Sequence, residues 1–160
     1  YLQRLYNAIQ GKAIKMGGGI KFLSALIDST DEVVQASDLV QSFVIACSDE
    51  TSNLTTGTNK VRFRMPYAFT LTAVRASVNT APTGSVLTVD INESGTTILS
   101  TKITIDASET TSVSASTAPV ISDSSLADDA IMGFDIDTIG STNSGVGLKV
   151  TLIGYKTTVG

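Results

Sequence analysis

From Phe43 onward, apolar residues fall on every second position in five separate stretches. Phe43, Ile45 and Cys47 share one side of FVIAC. Val61, Phe63 and Met65 alternate with Arg62 and Arg64. Leu87, Val89 and Ile91 alternate with Thr88, Asp90 and Asn92. Met132, Phe134 and Ile136 alternate with Gly133, Asp135 and Asp137. Leu148, Val150 and Leu152 alternate with Lys149 and Thr151. A period of two is the side-chain repeat of a strand with one buried face, so each stretch predicts a strand whose apolar set enters the core. Leu71, Ile103 and Ile105 complete that set. One stretch changes parity: Phe69 and Leu71 share one side, whereas Val74, Ala76 and Val78 share the other. An inserted residue near Thr72-Ala73, a β-bulge, returns both sets to the core.

The breaks between these stretches carry turn chemistry. Asn92-Glu93-Ser94-Gly95 predicts a hairpin, with Gly95 supplying a positive φ. Pro66 marks a strand end, and Ala81-Pro82-Thr83-Gly84 marks another turn. Ile98–Ile105 reads as one further strand. Ser108–Ser125 reads as a long mobile connection with at most a short strand. About seven strands result, with an eighth near 110–122, and the fold class expected is all-β: a jelly-roll-like antiparallel β-sandwich over residues 43–160.

Residues 1–42 have a different texture and are expected to form a short helical arm. Leu2, Leu5, Ile9 and Met16 lie near helical spacing, and Gly17-Gly18-Gly19 reads as a hinge. Ser29 with Glu32 is a capping-box pattern for a second short helix. Arg4, Lys12, Lys15 and Lys21 give residues 1–27 a charge of +4 with no acid, whereas the remainder carries −8, for a net charge of −4. A basic arm with an unsatisfied apolar stripe is expected to dock on a protein partner. Four charges are too few to favour nucleic acid, whose binding draws on several clustered phosphate contacts. The expected assembly residues are therefore Leu2, Arg4, Leu5, Ile9, Lys12, Lys15 and Met16.

Composition narrows the chemistry. The 160 residues are 42% hydrophobic and 16% charged, which suits a packed core. No apolar run approaches the ~18 residues of a membrane-spanning helix, so no membrane insertion is expected. There is no His, no Trp and a single Cys, which excludes His-dependent triads, His-bearing metal sites, thiolate zinc cages and an internal disulfide. No G-x-S-x-G or phosphate-loop ending appears, and Ser–Lys pairs on a Ser-rich surface arise trivially. Asp128-Asp129 and Asp135/Asp137 are the candidate oxygen sets for calcium, but they lack the spacing of a twelve-residue calcium loop. No catalytic residue, metal site or cofactor is expected.

VRFRMPYAFTLTAVRASVNTAPTGSVLTVDINESGTTILSTKITID (61–106), ISDSSLADDA (121–130) and GLKVTLIGY (147–155) together resemble a β-sandwich module of tailed-bacteriophage virion proteins, of tail-fibre or appendage type. The resemblance implies a virion location, homo-oligomerisation as a trimer and no required cofactor. It implies a structural subunit that displays a β-sandwich tip for host-surface contact; the alternative is a capsid decoration or cement protein. The arm would then attach to other virion proteins. Contact with a host glycan or surface protein is expected at hydroxyl-rich loops, represented by Thr83, Ser112, Ser114, Ser116, Thr142 and Asn143.

Overall fold

A computed structural model describes residues 14–16, 19–21 and 39–157. The chain divides into two units, Tyr1–Asp38 and Leu39–Gly160. In the first, β1 (Ile14–Met16) pairs antiparallel with β2 (Gly19–Lys21), Lys15 standing opposite Ile20. The helix expected to run through Met16 is thus a strand at that end, and Gly19, expected in a hinge, is a strand residue facing Met16. Ile14 and Met16 flank Lys15 with period two, so the same residues fit a strand as well as a helix. Leu2, Arg4, Leu5, Ile9, Lys12 and the Ser29/Glu32 capping box lie outside the described residues.

The second unit is an antiparallel β-sandwich. Its strands are β3 (Gln41–Ala46), β4 (Gly57–Arg64), β5 (Phe69–Ser77), β6 (Leu87–Glu93), β7 (Thr96–Thr97), β8 (Leu99–Thr101), β9 (Ile103–Ile105), β10 (Val120–Ile121), β11 (Ser125–Leu126), β12 (Ile131–Thr138) and β13 (Lys149–Lys156). One sheet has the order β11-β5-β13-β3 and the other β4-β12-β6-β7, with β9 also paired to β6. Inward residues of both sheets form one core, in which Phe69, Leu87, Ile91, Ile103, Ile105, Phe134, Leu148, Val150 and Leu152 are fully buried. Of the expected core residues Phe43, Ile45, Val61 and Phe63 are only half-buried, because β3 and β4 are edge strands. Phe63 stacks on Phe134 with ring centroids 6.0 Å apart.

The parity change in β5 is a bulge. Ile153 of β13 faces Ala73 and Gly154 faces Leu71, so Thr72 is the extra residue, and its hydroxyl donates to the Ile153 carbonyl at 3.1 Å. The hairpin between β6 and β7 turns on Ser94 and Gly95, both at positive φ, as a two-residue connection between right-twisted strands requires.

Two expectations are corrected here. The segment 98–105 is not one strand, because Ile98 and Leu99 are consecutive and both buried. The chain therefore switches partners: β8 pairs with β10, and β9 returns to β6. Asp90, expected on the outer face, is buried. Its carboxylate accepts from the Ile91 N–H at 2.8 Å and the Thr97 hydroxyl at 2.6 Å, and pairs with the Lys102 ammonium at 3.0 Å. Lys102 also reaches Asp137 at 2.6 Å. Hydrogen bonds to Asp137 and then Asp90 hold the Lys102 ammonium above its ordinary pKa.

The two flanks of the sandwich differ. The connection after β9 is anchored rather than mobile. Its 3-10 turn, Ser112–Ser114, packs on β5 and β9, and β10 and β11 then tie it to β8 and β5. That flank is closed. Because β5 lies across from β9, edge strands β3 and β4 fall together on the opposite flank. There Phe43, Ile45, Val61 and Phe63 are only half-buried.

Candidate functional site

Four connections gather at one end of the sandwich. The β3–β4 loop meets the β12–β13 loop through Leu54 N–H to Gly145 O at 2.9 Å and a bridge between Asn53 and Val146. The β5–β6 loop joins the same segment: Asn79 N–H donates to Val146 O at 2.8 Å, Thr83 N–H to Asn143 O at 2.9 Å and Thr142 N–H to Thr83 O at 2.9 Å. Ser108 N–H then donates to Pro82 O at 2.7 Å, bringing in the segment after β9. Backbone groups cannot be left unpaired where loops pack on each other, so these bridges fix the loops as one surface. Gly140 shows how close the approach is. A Cβ there would overlap the Asn143 carbonyl and lie 2.7 Å from Thr83 N, so no other residue fits.

Charged groups brace the rim. The Lys149 ammonium bonds Glu50 at 2.8 Å and the Asn79 side-chain carbonyl at 3.2 Å, and Asn79 also donates to Glu50. The hydrogen bond from Lys149, followed by that from Asn79, holds the Glu50 carboxyl below its ordinary pKa. Asp49 accepts from Thr51 N–H at 2.8 Å and Ser52 N–H at 2.6 Å. Those two N–H groups, Ser52 first, pull its carboxyl down to about 2. Behind the rim, Cys47, Ser48, Asp49, Asn53, Leu54 and Lys60 are among the residues lining a cavity of about 240 Å³. The Cys47 thiol is pushed up to about 12 by burial, against a smaller opposing hydrogen bond from Val150. It is a buried apolar group, not a nucleophile.

The loop residues singled out from the sequence separate into three groups. Thr83, Thr142 and Asn143 meet at this end. Thr142 is exposed, Thr83 is half-buried, and the Asn143 side chain is spent on the Gly145 N–H at 3.0 Å. Ser112 is buried, its hydroxyl accepting from Ala76 N–H at 2.8 Å, so it is a structural brace and not a contact residue. Ser114 and Ser116 are exposed but sit beyond Ser112, along the closed flank. Sequence reasoning missed Glu50, Asn79 and Lys149. Lys149 alternates outward in its strand like any solvated lysine, and nothing local marks its partners.

Three of the four acidic side chains weighed as metal ligands are engaged by protein donors. Asp129 pairs with Arg64 at 3.0 Å, Asp135 accepts from Asn59 N–H at 2.6 Å and Asn92 at 3.0 Å, and Asp137 holds Lys102. Among the described residues no group of three potential metal ligands converges. The loops at this end, 47–56, 78–86, 106–111 and 139–147, contain no aromatic residue, and Tyr67 and Phe69 lie at the β4–β5 connection on the opposite end.

Fold and site together define an all-β sandwich that carries a cross-braced, hydroxyl-rich loop surface at one end. No family model and no curated protein matches the sequence. Among solved structures, the infectious bursal disease virus VP2 subviral particle aligns with a TM-score of 0.38 and 12% identity, covering 91% of this chain and 38% of that one. Infectious bursal virus derived T=1 particles align with a TM-score of 0.37 and 13% identity, covering 91% and 37%. The chain thus spans under two-fifths of those proteins, and neither is a tailed-phage fibre module. Likenesses this shallow carry nothing over to this chain.

Proposed function

We propose that this chain is a bacteriophage virion structural protein, a tail-fibre or appendage subunit whose loop end touches the host surface. The observation that supports the reading is the braced end itself: four loops locked by backbone hydrogen bonds and Gly140, with Thr51, Ser52, Ser141 and Thr142 left exposed. A rigid surface of small hydroxyl groups loses little entropy on contact, and many copies turn weak hydrated contacts into firm adsorption. The sequence likeness of 61–155 to phage sandwich modules points the same way. Under this reading the protein acts as a homo-oligomer without catalysis, and the basic arm, Leu2 to Met16, joins it to other virion proteins. Trimeric assembly is the form that resemblance implies.

A capsid decoration role is the second reading. It is favoured by the apolar exposure of Leu39, Val40 and Val44, which suits permanent contact with a neighbouring subunit. Labelling intact particles with an antibody to the body discriminates the two: signal on the tail supports the first, and signal over the head replaces it with the second. Replacing Thr51, Ser52, Ser141 and Thr142 together by Ala should abolish adsorption with the melting temperature unchanged. Full adsorption by that variant would remove the loop end from the contact.

A further inference from the structure

The four sheet edges of the sandwich are not alike. An edge strand offers unpaired N–H and C=O groups to any other strand, and proteins usually blunt it with charge, Pro or brevity. β7 and β11 are two residues long. β4 carries Lys60, Arg62 and Arg64. β3 has none of these devices: Gln41–Ala46 reads QSFVIA, and 39–47 contains no charged residue and no Pro.

The free side of β3 is set by its pairing with β13. Cys47 N–H donates to Leu148 O at 2.8 Å, and Ile45 faces Val150 in the same register. Odd residues therefore bond to β13, and the backbone groups of Ser42, Val44 and Ala46 point away from it. The side chains of these three face outward from the sheet and are exposed, Val44 at 66%. Phe43 and Ile45 point inward but stay half-buried, because among the described residues no strand continues the sheet past them.

We propose that β3 pairs with β3 of a second copy of this chain, antiparallel about a two-fold axis through Val44. The strand complements itself in that register. Ser42 lies opposite the partner's Ala46, and Val44 opposite the partner's Val44, each a hydrogen-bonded pair, for about six backbone hydrogen bonds in all. Phe43 then lies opposite the partner's Ile45 on the core side, an aromatic–β-branched pair that covers the side chains left half-open. The two Val44 side chains meet on the outer face. Two four-stranded sheets become one, and the two-fold closes the contact against further polymerisation. Charge favours a copy of β3 over the other described edges. Residues 39–160 carry seven bases against eleven acids, a charge of −4, so two bodies repel each other, the contact belongs at an uncharged strand, and β3 is the uncharged edge of useful length.

Sedimentation of the full chain at micromolar concentration tests the contact. The expected result is two copies, or an even multiple where the arm adds its own association. Val44→Lys sets two ammonium groups face to face, and Val44→Pro deletes a free N–H without touching the bonds to β13. Each should weaken association by about tenfold or more. Under mild oxidation Val44→Cys should give a cross-linked pair. Ser42→Cys alone should not, since the two-fold places it opposite Ala46. A single-copy species, an oligomer unmoved by both Val44 variants, or equal cross-linking at 42 and 44 would overturn the proposal.

Discussion

Replacing Gly154 by Ala probes the junction where the bulge in β5 meets β13. Gly154 faces Leu71 directly beside the extra residue Thr72. A Cβ there would overlap the Thr70 carbonyl oxygen and lie 2.7 Å from Cε1 and 3.0 Å from Cζ of Phe69. The ring cannot yield, because Phe69 is fully buried and meets Phe43 edge-on at 5.2 Å. The strands must part instead, by about 1 Å, which costs ~1–3 kcal/mol as overpacking. One or two stretched ladder hydrogen bonds add ~0.5–1.5 kcal/mol each. Ala recovers ~0.5–1 kcal/mol through the lower entropy of its unfolded chain. The net loss is about 2–3 kcal/mol, a fall of about 8–12 °C in Tm for a body of this size. Thermal unfolding by circular dichroism measures it, with Gly95→Ala as the comparison, since a Cβ at Gly95 meets nothing within 4 Å. There only the positive φ is strained, at ~1 kcal/mol. A Gly154→Ala protein melting within about 2 °C of the parent would show that the bulge register is wrong.

Phe134→Ala should cost ~3–5 kcal/mol in urea unfolding and Phe63→Ala about half that, since Phe134 is fully buried and Phe63 sits on the open flank; equal losses would close that flank. Lys102→Met should cost about 2 kcal/mol, reduced from the value for a fully buried pair because the lysine is 42% exposed, and an unchanged denaturation midpoint would contradict the pairing with Asp90. Cys47 should resist alkylation at pH 8 in the native state and react at once in urea. Its thiol is raised from 9.0 to about 12, so the associated stability is complete below pH 9 and falls as pH climbs toward 12. Asp49 is depressed from 3.8 to about 2, so its bracing of Thr51 and Ser52 is complete above pH 3.8 and lost as pH falls through 2, a transition that NMR titration of its carboxyl should place well below an ordinary Asp.

What could be read from the sequence was whatever a single strand encodes about itself. Alternation places Leu87, Val89, Ile91, Phe134 and Leu152 correctly because one face of each strand is buried, and a one-residue slip reverses every side chain. The same logic locates the bulge, since a parity change has one cheap repair. What stayed hidden depends on partners distant along the chain. Asp90 looks like any outward Asp until the β7–β8 segment folds over it, bringing Thr97 and Lys102. Ser112 is one serine among many until it caps Ala76 N–H. The end of the arm is ambiguous in sequence because Ile14 and Met16 satisfy both periods over so short a run. The site was half legible: turn residues marked the loops, but the Lys149–Glu50–Asn79 brace has no local signature.

The close packing around Gly140 also decides how this surface can diverge. A Cβ at Gly140 would strike backbone, and Thr83 spends both its N–H and its C=O on the neighbouring loop. Any side chain at 140 therefore meets a steric penalty, and Pro at 83 would lose the bond to Asn143, before any question of recognition arises. Ser141 and Thr142 are exposed beside those fixed points, their hydroxyls lying over Gly84, so they can change identity while the backbone beneath them stays put. A lineage altering its contacts would accumulate substitutions at such narrow windows, leaving the frame on either side unchanged. Changes of loop length should be rarer still, because any insertion between 140 and 145 would uncouple the bridges that hold three loops in common register.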